Sequence, residues 1–269
     1  MKDAGGGKGL ITLLTDFGLK DGYVGALKGV ILSINPAATI IDLSHDISPQ
    51  NILQGAHVLS QAAPFFPKDT IHVAVIDPGV GTSSRHPILV ETSRYLFVGP
   101  DNGIFELVLQ SEKVRRVIHL SNREFFLKDV SHTFHGRDIF APVAAYLSLG
   151  VDPTGFGKKN GRIKKHRLER PRTNKGIITG TIIHIDRFGN IITNIQKDFI
   201  APAKPGKFIL KVGDRVIKKL VGTYGKAKRG ETVVLIGSNG MLEIAKRDGS
   251  AALELASGTG QRVTVRILK

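Results

Sequence analysis

The sequence contains no cysteine, no tryptophan, only two methionines and no stretch of 18 apolar residues. Without cysteine there can be no thiolate metal site, disulfide staple or Cys nucleophile, and a reducing cytosol suits such a chain. Without a long apolar stretch there is no candidate spanning helix. Residues 1–9 (MKDAGGGKG) lack the apolar core of a signal peptide. The expectation is a cytoplasmic protein with no membrane partner. Acidic residues are also scarce, 23 against 38 Lys+Arg, giving a formal charge of +15. What is present is ordinary globular material: 269 residues, 41% hydrophobic, enough for one large domain or two smaller ones. That apolar share excludes a disordered chain, and 31 glycines without a period exclude collagen.

The positive charge is confined to one half. Residues 1–155 carry 13 Lys+Arg and 15 Asp+Glu, a net of −2, whereas residues 156–269 carry 25 and 8, a net of +17. The steepest run, 158–175, has nine Lys/Arg opposed only by Glu169. It reads as a solvated basic linker, with an RNA or membrane contact as the alternative.

Hydrophobic periodicity divides the chain at the same place. Leu10–Thr15, Thr39–Leu43, Ile71–Ile76, Ile88–Val90, Tyr95–Val98 and Val114–Leu120 read as strands. Tyr23–Ile34, Asn51–Phe66, Ile104–Gln110 and Gly136–Leu149 read as helices. Alternation of this kind predicts an α/β domain with a mostly parallel sheet over 10–157. After a linker at 158–175, Ile177–Ile185, Asn190–Ile195, Val216–Val221, Thr232–Ile236, Leu242–Ala245 and Arg262–Leu268 are short strands between Gly-rich turns. They predict a small C-terminal β-barrel domain over 176–269.

In an open α/β sheet, ligands gather beyond the carboxyl ends of the strands, and the pointed polar clusters fall there. TDFG (15–18) ends the first strand, DPGVGT (77–82) the third, and GPDNG (99–103) follows the fifth. A strand-end Asp16 can accept two hydrogen bonds from a ribose diol, or cap a turn. SHTFHGRD (131–138) opens a helix, where a His and backbone amides can face an anion or an activated water. His132 and His135 lack a third metal ligand, so no metal and no cofactor is expected. IDRFGN (185–190) is a tight hairpin turn whose Asp, aromatic ring and amide can also grip a zwitterion; Ser238-Asn239-Gly240 is a second turn. Gly5-Gly6-Gly7-Lys8-Gly9 is no phosphate loop, since Ser/Thr does not follow the Lys and the segment precedes a strand. A GxSxG elbow is also missing.

As a set, TDFG, DPGVGT, GPDNG, TFHGRD and IDRFGN resemble the S-adenosylmethionine hydroxide adenosyltransferases, hydrolases related to the fluorinating and chlorinating enzymes. The resemblance runs from about Leu10 to Leu268. It implies hydrolysis of S-adenosylmethionine to adenosine and L-methionine, in a homotrimer whose sites lie between one subunit's N-terminal domain and a neighbour's C-terminal domain. It further implies that Asp16 holds the ribose, with Thr82, Thr133 and Phe134 also against the substrate. Asp186, Asn190 and Phe188 would meet the methionine end, Ser238 and Asn239 the same end, and backbone near Lys246 and Asp248 the adenine. Asp77, Arg85 and His135 look like the water-activating trio. In the halogenating relatives the positions of Asp77 and His135 are Tyr, and that of Gly136 is Ser. One departure stands out: Ser83 and Ser84 both separate Thr82 from Arg85, where the family usually has one residue.

These residue types suit the implied chemistry. A sulfonium makes methionine a good leaving group, so in-line attack at C5′ needs no general acid. It needs a nucleophile, and a guanidinium favours the hydroxide form of water while a carboxylate or imidazole accepts its proton. The sequence leaves Asp77 and His135 open as acceptors. Two rival readings remain: halogenation of the same substrate, and a basic nucleic-acid binder. The second is disfavoured by the few aromatics of the basic half, chiefly Phe188, Phe199, Phe208 and Tyr224.

Overall fold

The computed structural model describes residues 9–159, 161–165, 170–200 and 207–268. The chain forms two compact units, residues 1–166 and 167–269. Residues 1–8 and the middle of the basic run (160 and 166–169) lie outside the described residues.

The first unit runs β1 (Leu10–Thr15), α1 (Tyr23–Ile34), β2 (Thr39–Ser44), α2 (Ile52–Ala62), β3 (Ile71–Val75), β4 (Pro87–Thr92), β5 (Leu96–Pro100), β6 (Val114–Leu120), α3 (Ala141–Ser148) and β7 (Gly157–Lys159). Its sheet has the order β2-β1-β3-β5-β4-β6-β7. The neighbours β2, β1, β3 and β5 are parallel, while β4, β6 and β7 add on antiparallel. The central strands are apolar on both faces, as helix-covered parallel strands must be; β3 (IHVAV) is buried throughout. Helix α1 turns Val24, Leu27 and Ile31 to the sheet and stops at Asn35, before Pro36. Leu27 is fully buried, so truncating it to Ala costs about 2–5 kcal/mol. Because β1 and β3 run side by side with Thr15 opposite Val75, Asp16 and Asp77 emerge together at the sheet's carboxyl edge.

Two expected helices differ. Ile104–Gln110 is a run of turns ending in one 3-10 turn, Val108–Gln110. Gly136–Leu149 opens as a π-helical turn, Gly136–Phe140, before α3. Pro142 is the cause: without an N–H it cannot bond the Asp138 carbonyl, which accepts from Leu127 N at 2.9 Å instead.

The second unit runs β8 (Arg172–Asn174), β9 (Ile177–Ile185), β10 (Ile191–Gln196), the single turn α4 (Lys197–Ile200), β11 (Phe208–Val212), β12 (Arg215–Ile217), β13 (Thr232–Ile236), β14 (Met241–Lys246), the single turn α5 (Ala251–Glu254) and β15 (Arg262–Ile267). The strand order is β12-β11-β15-β9-β10-β14-β13, with β8 on β9. Val221 N donates to Val234 O at 2.8 Å and Val234 N to Lys219 O at 2.9 Å, so the far strand returns to the first and the sheet nearly closes as a barrel. Ile182, Ile191, Phe208, Leu210, Leu242 and Val265 fill it. Strands β8 and β11 were not expected, and β7 and β8 take up the two ends of the stretch read as a linker.

Candidate active site

Three side chains converge at the carboxyl edge of the first unit's sheet. Asp77 follows β3, Arg85 follows the DPGVGTSS turn, and His135 precedes the π-helical turn. Arg85 Nε donates to Asp77 Oδ1 at 2.8 Å, and its Nη2 pairs with Asp77 Oδ2. The third guanidinium nitrogen, Nη1, lies 3.1 Å from His135 Nδ1. Arg85 is 5% exposed, with its guanidinium 5.3 Å over the Phe140 ring. Burial draws its pKa down to about 10, so it stays a cation at neutral pH. Burial, and then the Arg85 charge, hold the His135 imidazole below its usual pKa, that is, neutral.

A guanidinium only donates, so His135 Nδ1 must accept and the imidazole proton must sit on Nε2. Ser83 and Ser84 lie in an exposed turn, from which the chain brings Arg85 to both Asp77 and His135. Thr82 serves that turn: its hydroxyl donates to Gly79 O at 2.8 Å and meets Ser84 Oγ at 2.9 Å. Gly81 has φ +76°, and a Cβ there would run into the His132 carbonyl oxygen. Only glycine lets these two loops close on each other.

A cavity of about 250 Å³ opens at this edge, lined by Asp16, Phe17, Gln50, Asp77, Thr133, Phe134 and His135 among others. Asp16, Asp77, Thr133, Phe134 and His135 are thus brought together, while Arg85 lies behind them and the Thr82 hydroxyl is held in its own turn. Phe17, Tyr23 and Phe134 form an aromatic wall with ring centroids 5.2–5.9 Å apart. One residue missed from sequence is Gln50. Its φ of +65° is uncommon for a residue with a Cβ, and its N–H donates to Asp16 Oδ2 at 2.7 Å. The Pro49-Gln50-Asn51 punctuation was the available signal. The GPDNG turn is scaffold: Asn102 Nδ2 donates to Ile76 O at 2.8 Å, and buried Asp101 accepts from Lys164 N at 2.7 Å.

In the second unit, the Asp186 carboxylate organises the β9–β10 turn. Its Oδ1 accepts from Phe188 N at 2.9 Å and Asn190 N at 2.8 Å, and its Oδ2 from Asn190 Nδ2 at 2.9 Å. Phe188 is left 77% exposed. Gly189 has φ +80° and its carbonyl accepts from Ala252 N at 2.9 Å. Register places Ile191 opposite Ile244 and Gln196 opposite Met241. The Asp186–Asn190 turn therefore lies at the Lys246 end of β14, and the Ser238–Asn239 turn at the Gln196 end of β10. Asn239 Oδ1 accepts from Met241 N at 2.9 Å. Lys246 pairs with Glu254 at 3.0 Å, and Asp248, with φ +57°, stands 3.5 Å from Arg229. The sequence reading also missed buried Glu243 on β14, which accepts from Tyr224 Oη at 2.6 Å. Burial pushes the Glu243 carboxyl up, and Asp186 adds to this.

Among the described residues, no helix is long and apolar enough to cross a membrane, and no three His, Asp or Glu side chains are grouped to hold a metal ion.

Known proteins match at both units. Family models for the SAM hydroxide adenosyltransferase N-terminal and C-terminal domains match residues 11–157 and 180–264. The chain is 43% identical over 248 residues to the (R)-S-adenosyl-L-methionine hydrolase of Methanocaldococcus jannaschii, covering 88% of each protein. It is 37% identical over 258 residues to the protein of that name from Salinispora tropica, covering 95% of this chain and 97% of that one. A solved structure of an uncharacterized conserved protein from Thermotoga maritima has a TM-score of 0.89 and 37% identity, covering 95% of this chain and 99% of that one. The fluorinase of an Actinoplanes species stands further off, at 27% identity over 292 residues.

Proposed function

This chain belongs to the SAM hydroxide adenosyltransferase family, and from that membership and the site's geometry we propose that it hydrolyses S-adenosyl-L-methionine to adenosine and L-methionine. The observation that carries the reading is the Asp77–Arg85–His135 chain at a cavity edge, 2.8 and 3.1 Å apart. A water beside Asp77 and His135 attacks C5′ in line, the C5′–S bond breaks with its electron pair leaving on sulfur, and neutral methionine sulfide departs. The water proton passes to Asp77. The tautomer supports this choice, since His135 Nδ1 is already an acceptor for Arg85 and Nε2 carries the hydrogen that points a donor at the water oxygen. Arg85 acts from behind as a fixed cation that favours developing hydroxide. Anion meeting cation disperses charge, so a site closed to bulk water favours the reaction.

In this reading Asp16 holds the ribose hydroxyls through the lone pairs left beside its bond from Gln50, with Thr133 and Phe134 around the nucleoside and Thr82 holding the turn behind them. Asp186, Phe188 and Asn190 hold the methionine end, joined by Ser238 and Asn239, and backbone near Lys246 and Asp248 meets adenine. The site is completed in a homotrimer, by the N-terminal unit of one subunit and the C-terminal unit of the next. The test is direct: purified protein with S-adenosylmethionine, products separated by chromatography, with and without EDTA. Adenosine and methionine in equal amounts, undiminished by EDTA, are expected. No turnover, or turnover rescued only by one divalent ion, would overturn the reading.

A further inference from the structure

The cavity-lining Asp16 sits in a turn clamped on both sides by one buried residue. On its N-terminal side, the Thr15 hydroxyl meets His45 Nδ1 at 2.8 Å and accepts from Phe17 N at 3.3 Å. On its C-terminal side, Gly18 N donates to the His45 carbonyl at 2.8 Å. His45 is 4% exposed. Its other ring nitrogen, Nε2, lies 3.1 Å from Asp42 Oδ1, and Asp42 Oδ2 pairs with Lys28 Nζ at 2.6 Å. A chain of polar contacts thus runs from a half-exposed lysine on α1, across β2, to the residue before Asp16.

The backbone is shaped to make this possible. Along the β1–β2 ladder Leu13 faces Asp42 but Leu14 faces Ser44, so Leu43 is an extra residue. Such a bulge re-aims the residues that follow it, and His45 follows two positions later with its ring turned back to Thr15. Thr15 itself is fully buried, which bars its hydroxyl from acting as a nucleophile despite the Thr–His–Asp order. What the chain can do is hold a turn. Burial opposes charge on Asp42, but the bonds from Lys28 and His45 prevail and keep its carboxyl below the usual range, so the anchor at the far end stays anionic.

We propose that His45, backed by Asp42, is the positioning residue for Asp16 and so sets recognition of the ribose diol. This rests on the reading of Asp16 as the ribose-binding residue. The experiment compares binding of adenosine and 2′,3′-dideoxyadenosine by calorimetry, with steady-state kinetics alongside. Wild type should prefer adenosine. His45→Ala should lose tenfold or more in adenosine affinity and in KM for S-adenosylmethionine, keep kcat within threefold, and bind the dideoxynucleoside as wild type does. His45→Asn, whose amide can stand where Nδ1 does, should recover most of the loss, and Asp42→Asn should show a smaller version of it. In the Asp16→Ala background, His45→Ala and Asp42→Asn should add nothing. Equal losses for both nucleosides, unchanged adenosine binding in His45→Ala and Asp42→Asn, or full additivity with Asp16→Ala would each overturn the proposal. Should His45→Ala not fold, Asp42→Asn carries the same comparison. Wild type that binds both nucleosides equally would instead remove the ribose reading of Asp16, and this proposal with it.

Discussion

Arg85 Nη1 faces His135 Nδ1 across 3.1 Å, and since the guanidinium has no lone pair to offer, the contact fixes the imidazole as its Nε2–H form. The neutral ring is then a donor toward the cavity. This separates two readings that the residue types alone leave equal. If His135 donates, His135→Gln keeps an N–H of similar reach and should retain about a tenth of wild-type kcat. His135→Ala should lose roughly 10²-fold and Asp77→Asn roughly 10²–10⁴-fold. Equal, severe losses in the Gln and Ala variants alongside a mild one in Asp77→Asn would return the proton to His135.

The same contact predicts a pH profile. Burial and the Arg85 charge lower the His135 pKa from its usual 6.5, so the active neutral form persists into mildly acidic solution. Activity should fall only as pH drops below 6.5, and His135→Gln should lack that limb. A wild-type kcat/KM profile with its acid midpoint above 6.5 would contradict a neutral, cation-flanked imidazole.

Gly136 carries a prediction about product. A Cβ there would meet Phe134, Phe17 and Leu27 at 3.4–3.6 Å, ordinary contact distances, so Gly136→Ser should fold. Ser at this position is the halogenating pattern, but Asp77 and His135 stay as they are. Adenosine should remain the sole nucleoside product in concentrated chloride or fluoride, with the rate within about tenfold of wild type. A 5′-halo product on chromatography would show that this one position selects the nucleophile.

Much of this arrangement was legible in the residues. Strand-end Asp16 and Asp77 were marked by TDFG and DPGVGT, and parallel neighbours then had to bring them to one edge. The barrel strand Phe208–Val212 was not legible: it alternates buried and exposed, but a Pro- and Lys-rich stretch before it and Gly213-Asp214 after it read as loop. The π-helical turn needs the Leu127 amide, eleven residues upstream of Asp138, to take the Asp138 carbonyl that Pro142 frees. His45 and Gln50 were missed for the same reason. Their roles arise from a bulge and a left-handed residue, and neither shows in periodicity.

His72 on β3 gives a stability prediction. It is fully buried, its Nδ1 2.7 Å from Thr12 Oγ1 and its ring stacked 5.2 Å from Phe97. Burial lowers its pKa from 6.5 to about 3. Below pH 6.5 the unfolded chain takes up a proton that the folded chain refuses, so stability falls as pH drops from 6.5 toward 3. The slope from this one group is at most about 1.4 kcal/mol per pH unit. His72→Phe keeps the aromatic packing but strands the Thr12 hydroxyl, costing about 1–3 kcal/mol at pH 7. Urea unfolding at pH 7 and pH 5 should show a smaller acid loss in the variant, and an equal loss in both proteins would exclude His72 as a source.

The shared-site proposal is tested by mixing two inactive variants. Asp16→Ala damages the ribose side and Asp186→Ala the methionine side. If one subunit supplies the first and its neighbour the second, a mixed trimer contains some interfaces in which both residues are intact. With random exchange each side is intact half the time, so about a quarter of sites are whole, and activity should recover to about 25% of wild type if the sites act independently. Mass spectrometry of the mixture establishes that subunits have exchanged. Were each chain to build its own complete site, every site would keep one defect and exchange would restore nothing. Exchange without recovery would therefore end the shared-site proposal, and adenosine formation by the wild type would be untouched by that outcome.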